Sequence, residues 1–168
     1  RIYRIGKGTD NIPLDQCKRR NIKVTLFTEG LTSSVSEFVI GLALNLVRNI
    51  TISNNKFKIG YWEKIQGKTI SDLSIGIVGF GAIGKDIFTK IKVFKPKKIY
   101  IYDLVDSNKY NNYYTDFDNL LENSDLISIN IPLNNNTHNL FNSKVFDKMK
   151  KKPYIVNTSR GGIINEND

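Results

Sequence analysis

Three glycines have the spacing of a phosphate-binding turn. The segment Gly79-Phe80-Gly81-Ala82-Ile83-Gly84 follows an apolar stretch and precedes a stretch of helical periodicity, the context in which a G-x-G-x-x-G spacing is meaningful. The first glycine permits a tight turn, the second lets a pyrophosphate approach the backbone, and the third lets the helix pack against the strand. The N–H groups and dipole at the helix start favour negative charge. The sequence therefore predicts dinucleotide contacts at Gly79, Gly81, Ala82, Ile83 and Gly84.

A carboxylate stands at the end of the next predicted strand. Asp103 lies nineteen residues after Gly84, where a carboxylate accepts hydrogen bonds from the adenosine ribose hydroxyls and repels the 2′-phosphate of NADP. No arginine follows it directly to bind such a phosphate. The sequence therefore favours NAD as the cofactor; in the alternative, Asp103 is only a turn residue.

Strands and helices alternate around these residues. Apolar patterning predicts strands over residues 73–78, 98–102, 126–131 and 154–157, and helices over residues 82–94, 117–122 and 143–150. This alternation is typical of right-handed parallel β-α-β units with helices on both faces of the sheet. We therefore expect an α/β fold, a Rossmann-type doubly wound parallel sheet, over residues 31–168.

The preceding residues look like part of something larger. Residues 1–5 and 22–27 predict two short strands, which cannot form a stable domain alone. Residues 1–30 are therefore expected to belong to a larger unit than these two strands. A helix over residues 35–48 follows, with a capping-box pattern at Ser34 and Glu37. It is apolar on nearly every face, which predicts burial by its own domain or by a partner subunit. Residues 49–72 look polar and irregular, with Trp62 near the middle.

Bulk composition narrows the class of protein. The 168 residues carry a net charge of +9 and one cysteine, Cys17. A basic chain can bind nucleic acid, which steep salt dependence of binding would reveal. The lysines are scattered, however, so we do not expect a nucleic-acid partner. One cysteine is compatible with a reducing cytosol, and no uninterrupted apolar run has the length of a membrane span. We expect a cytoplasmic protein without a membrane or metal site.

Five ordered motifs resemble those of the D-isomer-specific 2-hydroxyacid dehydrogenases, the family that includes D-3-phosphoglycerate dehydrogenase. Arg4-Ile5-Gly6-Lys7-Gly8-Thr9-Asp10-Asn11-Ile12 is similar to R-x-G-x-G-x-D-N-I, and Val156-Asn157-Thr158-Ser159-Arg160-Gly161-Gly162 to V-N-T-[AS]-R-G-G. The other three are Ser34-Val35-Ser36-Glu37, Gly60-Tyr61-Trp62, and Ile131-Pro132-Leu133 with Thr137.

The resemblance implies a two-domain enzyme with its active site in the cleft between the domains, and it implies that residues 1–30 are a remnant of the substrate-binding domain. It implies that Arg160 pairs with the substrate carboxylate and holds the keto group for hydride transfer; a planar guanidinium suits a carboxylate. Thr158, Ser159 and Arg160 are expected near the nicotinamide end of NAD, and Ile131 and Pro132 on the adenine or ribose side. Gly6, Lys7 and Gly8 are expected to receive the substrate, a small 2-hydroxy or 2-keto acid.

The sequence also departs from the family. In the family, the proton donor is a histidine supported by a glutamate, and both lie well downstream of the arginine. This sequence stops at Asp168. The one histidine, His138, matches a variable loop position. We therefore expect a fragment that does not turn over by itself. A non-catalytic, corepressor-like NAD sensor is the alternative function. The resemblance further implies a homodimer built from residues 35–48 and the Trp62 arm.

Overall fold

The computed structural model describes residues 1–6, 8–28, 30–105 and 108–168. The chain begins with a small β-α-β unit of three elements, β1 (Ile2–Ile5), α1 (Leu14–Arg19) and β2 (Val24–Phe27). The two strands are parallel, and Ile2 pairs with Val24. Both strands were expected, but α1 was not. It has six residues and buries only Cys17, so it carries no apolar periodicity.

Two helices follow, α2 (Leu31–Arg48) and α3 (Ile50–Lys58). The prediction of a capping box is wrong: α2 starts after Gly30, whose φ is 77°, and no side chain caps it. Glu37 instead accepts a hydrogen bond from the Ser33 hydroxyl at 3.0 Å. The prediction of an irregular segment over residues 49–72 is wrong where α3 and a 3₁₀ turn at Ile70–Asp72 form, but residues 61–69 contain no helix or strand.

The remaining elements alternate as predicted. They are β3 (Ser74–Val78), α4 (Ala82–Lys92), β4 (Lys98–Tyr102), α5 (Phe117–Asn123), β5 (Leu126–Ile129), α6 (Ser143–Asp147) and β6 (Tyr154–Asn157), with 3₁₀ turns at Asn108–Tyr113 and Gly161–Ile163. The four strands are parallel in the order β4-β3-β5-β6.

Each face of this sheet has its own core. On one face, Ile75, Ile77, Ile99 and Ile101 pack with α2 and α4; on the other, Val78, Tyr100, Ile127 and Ile129 pack with α5 and Phe141. The alternation along each strand follows from the two-residue side-chain period. The doubly wound α/β fold is therefore confirmed.

Among the described parts of the chain, α2 is long and apolar enough to cross a membrane by length and composition. This is a weak indication, because core helices of soluble proteins pass the same test. Val39, Ala43 and Val47 of α2 are buried in the core cluster that contains β3 and α4 residues.

Candidate functional site

The glycine turn lies where the sheet reverses its order. From β3 the chain passes to β4 on one side and returns to β5 on the other, and the carboxyl end at such a switch point is where ligands bind in open α/β sheets. Gly79 has a φ of +91°, a left-handed value that favours glycine. Its N–H donates to the Tyr102 carbonyl at 2.8 Å, so the turn is bonded to the end of β4.

The other two glycines are needed for different reasons. A Cβ added to Gly84 would lie 2.1 Å from the Gly79 carbonyl oxygen, so a side chain there would separate α4 from the turn. A Cβ on Gly81 would meet nothing within 4 Å. Gly81 is also the N-cap of α4, and no side chain caps that end. The first N–H groups of a helix have no partner within the helix, so this open helix start fits the pyrophosphate of a dinucleotide.

Asp103 contacts the turn directly. One carboxylate oxygen accepts a hydrogen bond from the Phe80 N–H, and the other accepts from the Val105 N–H at 3.0 Å. A carboxylate oxygen has two lone pairs, so acceptor capacity remains for ribose hydroxyls. The structure thus brings Asp103 to the glycine turn, as its predicted role requires.

The side chain of Phe80 was not assigned a role from the sequence. It is buried and packs edge-on against three rings, those of Phe88, Tyr110 and Tyr114. Tyr110 and Tyr114 belong to the segment after β4. Phe80 therefore joins the glycine turn to that segment.

A cleft of about 660 Å³ connects the turn with the other predicted residues. Its lining includes the predicted cofactor residues Gly81, Ala82, Ile83, Ile131 and Pro132. It also includes Thr158, Ser159, Arg160, Gly6 and Gly8. Gly79, Gly84 and Asp103 support the turn without lining the cleft, and Lys7 lies outside the described residues. Residues far apart in sequence therefore meet at one site.

Arg160 is held by a turn that follows β6. The Asn157 side chain accepts from the Ser159 N–H at 3.0 Å and donates to the Arg160 carbonyl at 2.9 Å. The Ser159 hydroxyl donates to the Ile129 carbonyl at 3.1 Å, which ties the turn to β5. This arrangement keeps the guanidinium of Arg160 at the cleft.

The guanidinium has a partner that sequence reasoning missed. Arg160 Nε donates to both carboxylate oxygens of Asp10, at 3.0 and 3.1 Å, and Nη2 lies 2.9 Å from Oδ1. The hydrogen bond from Arg160 lowers the pKa of Asp10 below its ordinary value, and the same bond raises the pKa of Arg160. No feature of one sequence indicates a pair separated by 150 positions.

His138 lies in an exposed turn, where its N–H donates to the Asn134 carbonyl at 2.9 Å. It does not line the cleft. Within the described ranges, no group of three or more histidine, cysteine or acidic residues could hold a metal ion.

Comparison with known proteins assigns these residues to a family. Residues 40–168 match the model of the "D-isomer specific 2-hydroxyacid dehydrogenase, NAD binding domain". The chain belongs to this family. The match includes the glycine turn, Asp103 and Arg160, and it confirms the predicted family and its NAD cofactor.

Individual relatives extend the match into the N-terminal unit. The chain is 37% identical to hydroxypyruvate reductase from Thermotoga maritima, over 98% of this chain and 55% of the relative. It is 35% identical to glyoxylate reductase from Thermofilum pendens, over 94% and 49%. The chain therefore spans about half the length of the curated relatives it matches.

Solved structures agree with the fold. The apo-structure of D-lactate dehydrogenase from Escherichia coli superposes with a TM-score of 0.86 at 29% identity, covering 99% of this chain and 54% of that one. D-lactate dehydrogenase from Aquifex aeolicus, complexed with NAD and lactic acid, gives a TM-score of 0.83 at 29% identity, covering 94% and 49%.

Proposed function

We propose that the protein is an NAD-dependent oxidoreductase that transfers a hydride between a D-2-hydroxy acid, or its 2-keto acid, and NAD. The observation that carries the proposal is the shared cleft, which is lined both by the start of α4 and by Arg160. The start of α4 suits the pyrophosphate of a dinucleotide, and the guanidinium of Arg160 suits an anionic substrate. Relatives that are named reductases of hydroxypyruvate and glyoxylate support the same class of substrate.

Different residues of this chain bind the cofactor and the substrate. Gly81, Ala82 and Ile83 receive the pyrophosphate at the start of α4, and Asp103 receives the ribose. When bound, NAD supplies the hydride acceptor. Arg160 binds the carboxylate of the acid and orients the neighbouring carbon for hydride transfer.

Proton transfer requires a further group. Among the described residues that line the cleft, Asp10 is the only carboxylic acid and none is a histidine. Its lowered pKa keeps Asp10 ionised near neutral pH, which makes it a poor proton donor. We therefore propose that the 168 residues alone do not turn over.

The test is reduction of 2-keto acids by the full-length protein, followed through NADH absorbance. Replacement of Arg160 by Ala should lower kcat/KM for the keto acid at least about a hundredfold, because orientation of the substrate is lost. The affinity for NADH should change little. Lys148→Ala is a matched control, since it removes an ion pair with Asp118 outside the cleft. An Arg160→Ala variant with unchanged kcat/KM would refute the assigned role.

The NAD-sensing alternative has less support, because the named relatives are reductases and dehydrogenases. A full-length protein that binds NADH but reduces no 2-keto acid would favour the sensor.

We also propose that the protein forms a homodimer through α2, α3 and the Trp62 arm. Large apolar side chains are exposed there, namely Phe38, Ile50, Ile52, Phe57, Ile59, Tyr61 and Trp62. Clustered exposed apolar side chains favour an interface with another protein, and a twofold dimer is the commonest oligomer.

The dimer is tested by sedimentation of the full-length protein. Trp62 is 82% exposed, so Trp62→Asp should leave the fold intact and weaken the dimer. Val93→Asp is the control, because Val93 is 78% exposed outside this patch. A wild-type protein that sediments only as a monomer would contradict the proposal.

A cytoplasmic location is a further proposal. It is supported by Cys17, which is buried as a free thiol, as is usual in a reducing compartment.

A further inference from the structure

The loop after β1 reaches across to the arginine of the Rossmann-type sheet. Asp10 belongs to this loop, and the Arg4 side chain fixes it by donating from Nε to the Gly8 carbonyl at 3.1 Å. The Asp10–Arg160 ion pair therefore connects a loop of the N-terminal unit with the turn after β6. The Arg160 side chain remains 35% exposed and that of Asp10 45% exposed, so the pair stands at the wall of an open cleft.

The guanidinium of Arg160 is only partly engaged by the protein. A guanidinium has five N–H donors. Hydrogen bonds to described residues commit the Nε–H to Asp10 and one N–H of Nη1 to the Ser159 carbonyl, at 2.8 Å. Nη2 also lies 2.9 Å from Asp10 Oδ1, which engages one of its two N–H groups. At least one N–H therefore remains on each of Nη1 and Nη2. One N–H from each terminal nitrogen, both directed away from Nε, forms the fork that binds a carboxylate in a bidentate manner.

We propose that Asp10 is the positioning residue of Arg160, holding the Nε side of the guanidinium so that the Nη1 and Nη2 fork faces the substrate carboxylate. This inference rests on the proposed function, because it assigns the substrate carboxylate to Arg160. Asp10 touches neither the cofactor nor the reacting atoms in this arrangement. It acts through Arg160.

Gly8 supplies the space for this arrangement. A Cβ on Gly8 would lie 1.7 Å from Arg160 Nη2 and 2.8 Å from Asp10 Oδ1. The atoms in conflict are the ends of flexible side chains, so Gly8→Ala should fold and displace the guanidinium. Gly8→Ala and Asp10→Asn thus disturb the same orientation by different means, one steric and one electrostatic.

The first experiment measures steady-state kinetics of the full-length protein with a 2-keto acid and NADH. Asp10→Asn keeps the shape of the side chain and removes its charge. It should raise KM for the keto acid about tenfold or more, while KM for NADH stays within about twofold. Gly8→Ala should give the same pattern. Asp118→Asn, which removes the charge of another exposed ion pair, should change neither constant.

The second experiment separates positioning from a general structural role. Guanidinium chloride at low millimolar concentration should restore part of the activity of Arg160→Ala, because the free ion can bind beside Asp10. In the double variant Asp10→Asn/Arg160→Ala, the restored activity should fall at least fivefold. Thermal unfolding of Asp10→Asn should stay close to wild type, since exposed ion pairs contribute little to stability.

The outcomes are distinct. If Asp10→Asn lowers KM for the keto acid, Asp10 competes with the substrate for Arg160 and the positioning role is wrong. Unchanged keto-acid kinetics in Asp10→Asn, or guanidinium rescue that does not depend on Asp10, also overturns it while leaving the proposed function intact. A wild-type protein without 2-keto acid reduction overturns the proposed function and this inference together.

Discussion

Gly84 and Gly81 belong to one motif, but their replacement by alanine should have different effects. The change at Gly84 should lower stability, whereas the change at Gly81 should lower affinity for NAD. A Cβ on Gly84 would stand 2.1 Å from the Gly79 carbonyl oxygen, a backbone atom that cannot rotate away. Relieving this contact requires α4 to move by roughly 1 Å from the turn, and overpacking of this kind costs about 1–3 kcal/mol. Alanine recovers about 1 kcal/mol of helix propensity relative to glycine. Because the conflicting atom belongs to the backbone, we take an overpacking cost of about 3 kcal/mol. The free energy of unfolding of Gly84→Ala should then fall by about 2 kcal/mol in total.

Gly81→Ala is the matched comparison. Its Cβ would meet nothing within 4 Å and its φ of −70° suits any residue. The fold should therefore be retained, but the methyl group stands where the pyrophosphate approaches the backbone. Affinity for NAD should fall at least about tenfold through loss of that close approach.

Thermal unfolding and NAD titration calorimetry distinguish the two variants. Gly84→Ala should lower the unfolding midpoint by roughly 4–8 °C, from the expected loss and the scale for a chain of this size. Gly81→Ala should keep the midpoint close to wild type. An unchanged midpoint in Gly84→Ala would refute the packing argument. Wild-type NAD affinity in Gly81→Ala would refute the pyrophosphate position.

Three further changes test the site and its support. Asp103→Ala should weaken NAD binding about tenfold or more, because the ribose loses a charged acceptor, and it should narrow the difference between NAD and NADP; calorimetry that finds equal NAD affinity would contradict the ribose role. Asp86 has a pKa lowered first by its hydrogen bond from Lys90, so its contribution of about 1 kcal/mol is present above about pH 4 and is lost as the pH falls through the lowered folded pKa. Urea unfolding should then show the difference between wild type and Asp86→Asn shrinking from pH 7 to pH 3, and a constant difference would count against it. Gly76→Ala places a Cβ 2.6 Å from the Ser124 hydroxyl, so it should cost about 1–2 kcal/mol in chemical denaturation, and a variant as stable as wild type would show that this neighbour moves freely.

The sequence was most informative where burial is periodic. β4 and β6 have the bounds that were predicted, and their strands alternate between two cores. The helix α3 was missed because it buries none of its side chains, which leaves no apolar pattern to detect. The start of α2 was misplaced because the left-handed conformation of Gly30 begins the helix, and a capping-box spacing further along does not exclude an earlier start.

In the candidate site, too, features with a local sequence pattern could be predicted and features without one could not. The place of the glycine turn in the fold could be predicted because it depends on local spacing, and that of Asp103 because it follows the next strand. The pairing of Asp10 with Arg160 could not, since it depends on how two strand-end loops converge in space. Likewise, Tyr110 and Tyr114, which pack against Phe80, lie in the 3₁₀ turn after β4 and directly behind it. The sequence of this turn has no apolar periodicity from which its position could be predicted.

The aromatic packing of Phe80 has a consequence for engineering. The residues after Asp103 are an obvious place to graft a loop that accepts the 2′-phosphate of NADP. That graft also changes the path leading to Tyr110 and Tyr114, whose rings support Phe80 and hence the glycine turn. Cofactor preference and rigidity of the turn are therefore not independent design variables in this protein. A successful exchange has to carry the two tyrosines along with the loop.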